Sequence, residues 1–141
     1  MVKDTQPSAA NSTSKRIRIL HVDDEPTDLE ITRIFLRRDK NDDFEIVGVL
    51  SAEEALKKLK EERFDVIVSD YKMPGMSGLE LLEELRSNGN AVPFILFTGK
   101  GGEGIAKEAF DKGADRYVTK DGGPTSQCSE LARTIRGLAK E

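Results

Sequence analysis

Apolar residues in this chain gather into short continuous runs separated by stretches with helical spacing. Ile17-Arg18-Ile19-Leu20-His21-Val22 is the first run, and Asp23-Asp24 closes it. Pro26 suits the first turn of a helix, where a missing N–H is harmless, and Leu29 to Arg38 continues that helix. Phe44 to Val49 reads as a second strand. Ser51 and Glu54 form an S-x-x-E capping box, with Ala52, Ala55, Leu56 and Leu59 at helical spacing behind it. Asp65 to Asp70 is a third run, again ending in acid. Ser77 and Glu80 make a second capping box ahead of Leu79, Leu82 and Leu85. Pro93 to Phe97 is the fourth run and leads into Thr98-Gly99. Glu103 to Lys112 predicts a helix, and Gly113 stands where a left-handed C-terminal residue belongs. Arg116-Tyr117-Val118 is a short fifth strand, and Cys128, Leu131, Ile135 and Leu138 share one face of a last helix.

Five strand–helix pairs with short connections follow from this pattern. The strands are continuously apolar rather than alternating, so helices must cover both faces of the sheet. That is the signature of parallel strands. Right-handed crossovers leave few topologies. The expected fold is α/β: a flavodoxin-like, doubly wound, five-stranded parallel sheet of order 2-1-3-4-5 with five helices. Residues 1–15, MVKDTQPSAANSTSK, have almost nothing to bury and are expected to form a disordered tail before a single domain over 16–141.

Composition narrows the function classes. The 141 residues carry 22 basic and 26 acidic side chains, a formal net charge of −4, which disfavours nucleic-acid binding by bulk charge. Lys15-Arg16-Arg18 is too small a basic patch to reverse this. One cysteine excludes an intrachain disulfide, and one histidine argues against a histidine metal site. No apolar run approaches the roughly 18 residues of a membrane span. The N-terminus lacks the apolar stretch of a secretory signal. The expectation is a soluble, reduced, cytoplasmic domain without membrane contact, in which any metal is held by carboxylates.

Ligands of such sheets bind beyond the carboxyl ends of the strands. The first strand ends in Asp23 and Asp24, the third in Asp70, the fourth in Thr98, and the fifth leads to Lys120. Taken singly, each has a structural explanation: Asp24 as a helix cap, Asp70 and Thr98 as turn residues, Lys120 as a solvated side chain. Together they place three carboxylates, a hydroxyl and an ammonium on one edge. Crowded carboxylates stay ionised only beside a cation, and without one at least one carboxyl pKa is expected to rise through mutual repulsion. Oxygen ligands with water suit magnesium. A lysine and a hydroxyl facing that metal complement a phosphoryl group, and a carboxylate beside it can be the nucleophile that forms an acyl phosphate.

On these residues the chain resembles a response-regulator receiver domain (CheY-like), the phospho-accepting half of two-component signalling. The segments that carry the resemblance are ILHVDDEP at 19–26, DVIVSDYKMPGMSGLELL at 65–82, ILFTGK at 95–100 and GADRYVTK at 113–120. The resemblance implies that Asp70 is phosphorylated by a sensor histidine kinase or a histidine phosphotransfer protein. It implies magnesium held by Asp23, Asp24, Asp70 and the backbone carbonyl of Lys72. Lys120 would pair with the phosphoryl group, Thr98 would move to bond it, and Tyr117 would turn inward as the switch aromatic. Gly99 would leave the site open to the phosphodonor, and Lys72 and Lys100 would fall where side chains tune dephosphorylation. The face of the fourth helix, fifth strand and fifth helix would then change partners, with the downstream protein unknown. Such a domain is a signalling module that assists its own phosphorylation and dephosphorylation. Homodimerisation stays open, as does the choice between a stand-alone receiver, a relay intermediate and one part of a longer protein.

One departure stands out. The family's usual proline after this lysine is replaced by Asp121-Gly122-Gly123-Pro124. A cis bond before Asp121 costs roughly 2.5–4 kcal/mol, so a trans bond is expected, with Gly122 and Gly123 bending the chain and Lys120 within ion-pair reach of Asp70. The rival class is a magnesium-dependent aspartyl-phosphate phosphohydrolase. It would need D-x-D at the end of the first strand, where this chain has adjacent acids. His21 reads as a structural strand residue and Cys128 as core filling. The glycine-rich stretch 99–104 lacks a complete phosphate-binding loop pattern.

Overall fold

The computed structural model describes residues 16–38, 43–99 and 102–139. The tail at 1–15, and with it Lys15, lies outside them, as does Lys100. Five strands, β1 (Ile17–Val22), β2 (Phe44–Val49), β3 (Val66–Ser69), β4 (Phe94–Thr98) and β5 (Arg116–Thr119), alternate with five helices. These are α1 (Pro26–Arg37), α2 (Ala52–Glu61), α3 (Gly78–Ser87), α4 (Glu103–Asp111) and α5 (Pro124–Ala139). The sheet runs β2-β1-β3-β4-β5 and every pairing is parallel, as the continuous apolar strands predict.

Two apolar cores flank the sheet. One gathers Leu20, Val22, Ile67 and Leu96 from the strands with Ala52, Leu82 and Ala109 from the helices. The other gathers Ile19, Val68, Ile95 and Phe97 with Leu36, Cys128, Leu131 and Ile135. Neighbouring strand residues alternate between the cores, because successive side chains point to opposite faces. Cys128 is a buried free thiol in the second core, as read from the sequence.

Buried β3 and β4 end in the middle of this sandwich, whereas β2 and β5 form its partly exposed edges. Ionic contacts tie the far end of the sheet. Arg18 pairs with Glu45 and Glu62, so this part of the sequence's basic patch is neutralised within the fold. Arg136 grips Asp43 through two 3.0 Å bonds.

The helix starts carry one correction. The Ser77–Glu80 capping box is complete in both directions. At Ser51 only half of the expected box exists. Ser51 accepts from the Glu54 N–H, but the Glu54 carboxylate bonds the Leu50 N–H at 3.0 Å rather than returning to Ser51. Leu50 lies just past the end of an edge strand, where its amide has no ladder partner, and that donor takes the carboxylate. Gly113 adopts the expected left-handed conformation, with φ +108.

Candidate functional site

The strand ladders aim the acids. The Asp70 N–H donates to the Val22 carbonyl at 2.9 Å, and the Asp23 N–H donates to Val49 at 3.1 Å. The two residues are thus the next rungs beyond neighbouring strands, brought side by side by the β1–β3 register. Lys120 is placed in the same way, its N–H donating to the Thr98 carbonyl at 3.1 Å.

Asp23, Asp24 and Asp70 each bring a carboxylate oxygen to a point where all three lie within 4.8 Å of one another. Asp23 is fully buried, while Asp24 and Asp70 are partly exposed. In both Asp23 and Asp70 one oxygen is tied to backbone: Asp23 Oδ1 accepts from the Glu25 N–H at 3.0 Å and Asp70 Oδ1 from the Tyr71 N–H at 2.6 Å. The other oxygens face Lys120, whose Nζ lies 3.0 Å from Asp23 Oδ2 and 3.4 Å from Asp70 Oδ2. Asp24 does not cap α1. The N-cap is Glu25, with no side-chain cap bond, and Pro26 opens the helix.

The Lys120 stem crosses the Phe97 ring, with Nζ 5.1 Å from its centroid. Burial works against its charge more than any other influence, yet the carboxylates of Asp23, Asp70 and Asp28 together hold its pKa above the ordinary value. The expected rise in a carboxyl pKa falls on Asp23, for a different main reason. Burial is the leading cause, repulsion from Asp70 is a lesser one, and the Glu25 N–H and Lys120 act in opposition. A set of hard oxygen donors, one of them buried against a single ammonium, fits a hard divalent cation.

Thr98 ends β4, is buried and lies in register with Thr119. Tyr117 is half-buried, and its hydroxyl accepts from the Gly102 N–H at 3.2 Å, so it holds the start of α4. The Lys72 side chain is exposed. Gly99 is also exposed, and a Cβ there would sit 3.5 Å from the Lys120 Cβ, at the mouth of the site. Tyr71, Lys72, Met73, Pro74 and Ser77 line an adjoining cleft of about 380 Å³. The departure after Lys120 resolves as a turn in which all peptide bonds are trans. Only Gly122 takes positive φ, at +75; Gly123 instead presents its carbonyl to the Gln127 N–H at 3.1 Å, and one bend is enough to start α5.

Three neighbours of the site are absent from the sequence reading. Asp28, in the first turn of α1, lies 3.6 Å from Lys120 Nζ. Ser69 donates its hydroxyl to the Asp70 carbonyl at 2.8 Å. Gly78 packs so tightly on that carbonyl that a Cβ would overlap its oxygen. A glycine at the first position of a helix, where it weakens helix formation, was the available signal for the last. His21 sits in β1 as expected, but both ring nitrogens are buried without a hydrogen-bond partner among the described residues. Burial, with help from the Lys120 charge, lowers its pKa to about 3.

Comparison with known proteins places the chain in a family. The chain is 44% identical over 93 residues to the two-component response regulator PhoP of Pseudomonas aeruginosa, covering 66% of this chain and 40% of that protein. It is 34% identical over 119 residues to the transcriptional regulatory protein ResD of Bacillus subtilis, covering 84% of this chain and 48% of that one. It therefore spans about half the length, or less, of these relatives. The response regulator domain of Thermotoga maritima CheB superposes with a TM-score of 0.78 at 27% identity, covering 90% of this chain and 98% of that domain. The sequence profile described as the response regulator receiver domain matches residues 19–132, and with the strand order and the acid edge in place the chain belongs to that family of two-component signalling domains.

Proposed function

We propose that Asp70 accepts a phosphoryl group from a phosphohistidine on a sensor histidine kinase or a histidine phosphotransfer protein. The observation that carries this reading is the convergence of Asp23, Asp24 and Asp70 on one point, with the Lys120 ammonium 3.4 Å from Asp70 Oδ2. In the transfer an Asp70 oxygen forms the new P–O bond as the donor's P–N bond breaks, and the imidazole takes up a proton. Lys120 meets the negative charge that develops on the transferred oxygens. Asp23, Asp24, Asp70 and the Lys72 carbonyl are the residues that would hold magnesium, which when bound supplies charge neutralisation for carboxylates and phosphoryl oxygens alike. The open cleft beside Tyr71 and Lys72 gives the donor room to approach.

The same residues serve hydrolysis of the acyl phosphate, so the domain governs how long its own signal lasts. Thr98, at the end of β4, closes on the phosphoryl group, and Tyr117 leaves its bond to the Gly102 amide. Because that bond tethers the start of α4, its release alters the face built from α4, β5 and α5, which binds a downstream protein. The chain is treated with acetyl phosphate and magnesium, and incorporation is compared with Asp70→Asn. Wild type is expected to be labelled and the variant not. Continuous turnover of p-nitrophenyl phosphate would instead favour a phosphohydrolase.

A further inference from the structure

Lys120 is shared among more acids than the phosphoryl-accepting reading uses. Its Nζ lies 3.0 Å from Asp23, 3.4 Å from Asp70 and 3.6 Å from Asp28. The three carboxylates form a gradient outward from the core, with side-chain exposures of 0%, 15% and 44%. Asp23 and Asp70 belong to the close acid group, and Asp28 does not.

We infer that Asp28 is a positioning residue that, once a cation occupies Asp23 and Asp70, holds the Lys120 ammonium at the rim of the site, in competition with a phosphoryl group on Asp70. The inference rests on the function proposed above. A divalent cation and an ammonium repel each other when they share the same carboxylates. With Asp23 and Asp70 committed to a cation, Asp28 is the acid left to retain Lys120. Asp28 thus eases metal entry by drawing the ammonium outward. It also opposes phosphoryl capture, because Lys120 must leave Asp28 to reach the transferred oxygens. The two effects have opposite signs. An acid in the first turn of a helix also stabilises the helix through its dipole, but that role would move neither binding constant through Lys120.

Asp28→Asn and Asp28→Glu are made in the wild-type chain and in Lys120→Met. Magnesium alone is titrated calorimetrically, and beryllofluoride is titrated at saturating magnesium. In the wild-type background Asp28→Asn should weaken magnesium and tighten beryllofluoride, each by about two- to fivefold, the size expected of a half-exposed ion pair. Asp28→Glu should restore both. In Lys120→Met the effect of Asp28→Asn on magnesium should shrink to the direct loss of one nearby charge, clearly smaller than in the wild-type background. Unchanged magnesium affinity in the wild-type background would overturn the inference, as would both constants moving the same way or an effect undiminished in Lys120→Met. A wild-type chain that binds no beryllofluoride would count against the phosphoryl reading instead, and the magnesium titrations in the two backgrounds would still decide the role of Asp28.

Discussion

The Lys120 ammonium donates to the Asp23 carboxylate across 3.0 Å, although 97 positions separate the two residues in sequence. This bond is shorter than the one to Asp70 at 3.4 Å, so the lysine rests on the most buried acid rather than on the candidate phosphoacceptor. A fully buried carboxylate needs this partner, since an unpaired buried charge is strongly disfavoured.

Lys120→Met should therefore destabilise the fold at neutral pH, by up to about 3–5 kcal/mol, the scale of a broken buried pair. The sign of the pH dependence follows from Asp23, whose folded pKa is already raised. Such a group contributes stability at low pH that is lost as pH rises through the folded value, and the variant raises that value further. The deficit should shrink on acidification and on addition of magnesium. Urea unfolding at neutral and mildly acidic pH, with and without the metal, measures it. A deficit independent of both would mean that Lys120 stabilises by packing on Phe97 alone.

Gly78→Ala should disrupt the turn that follows Asp70. The new methyl would collide with the Asp70 carbonyl, a backbone atom held by Ser69, and the Gly78 N–H is bonded to Tyr71 at 2.8 Å. Neither side can give way cheaply, so the cost should be about 1–3 kcal/mol or more, despite alanine's better helix propensity. Thermal unfolding reads this directly. A variant as stable as wild type would show that the start of α3 is free to shift.

His21 contributes to the acid limb of stability. Its folded pKa, about 3, lies below the ordinary 6.5. Its contribution is fully present above the ordinary value and is lost as pH falls toward the folded one, by up to about 1.4 kcal/mol per pH unit. His21→Leu removes this dependence and leaves no buried ring nitrogen unpaired. It should be at least as stable as wild type at neutral pH and clearly more stable near pH 5. Urea midpoints across that interval give the comparison, and parallel pH profiles would show that His21 takes up its proton within the fold.

The sheet was legible because β3 and β4 are unbroken apolar runs and Ser77 and Glu80 announce a helix start. The acid edge was legible because Asp23, Asp70 and Lys120 each stand immediately after the end of a strand. What escaped was the set of relations across elements. Asp28 reads as one more acid on a helix surface, and only the reach of the Lys120 side chain from beyond the end of β5 brings the two together. Gly78 reads as a poor helix residue until the Asp70 carbonyl is seen against it. The second half of the Ser51 box failed for a similar reason, since the nearby Leu50 amide competed for Glu54. Sequence pattern reports what each segment buries, and much less of which donors and acceptors remain once the segments meet.

The identity of the phosphorylated residue tests the account most directly. An acyl phosphate is reduced by borohydride, which converts the modified aspartate to homoserine, and peptide mass spectrometry then locates it. After treatment with acetyl phosphate and magnesium, Asp70 should be recovered as homoserine, with Asp23, Asp24 and Asp28 unchanged. Conversion at one of those three acids, or incorporation undiminished in Asp70→Asn, would contradict it.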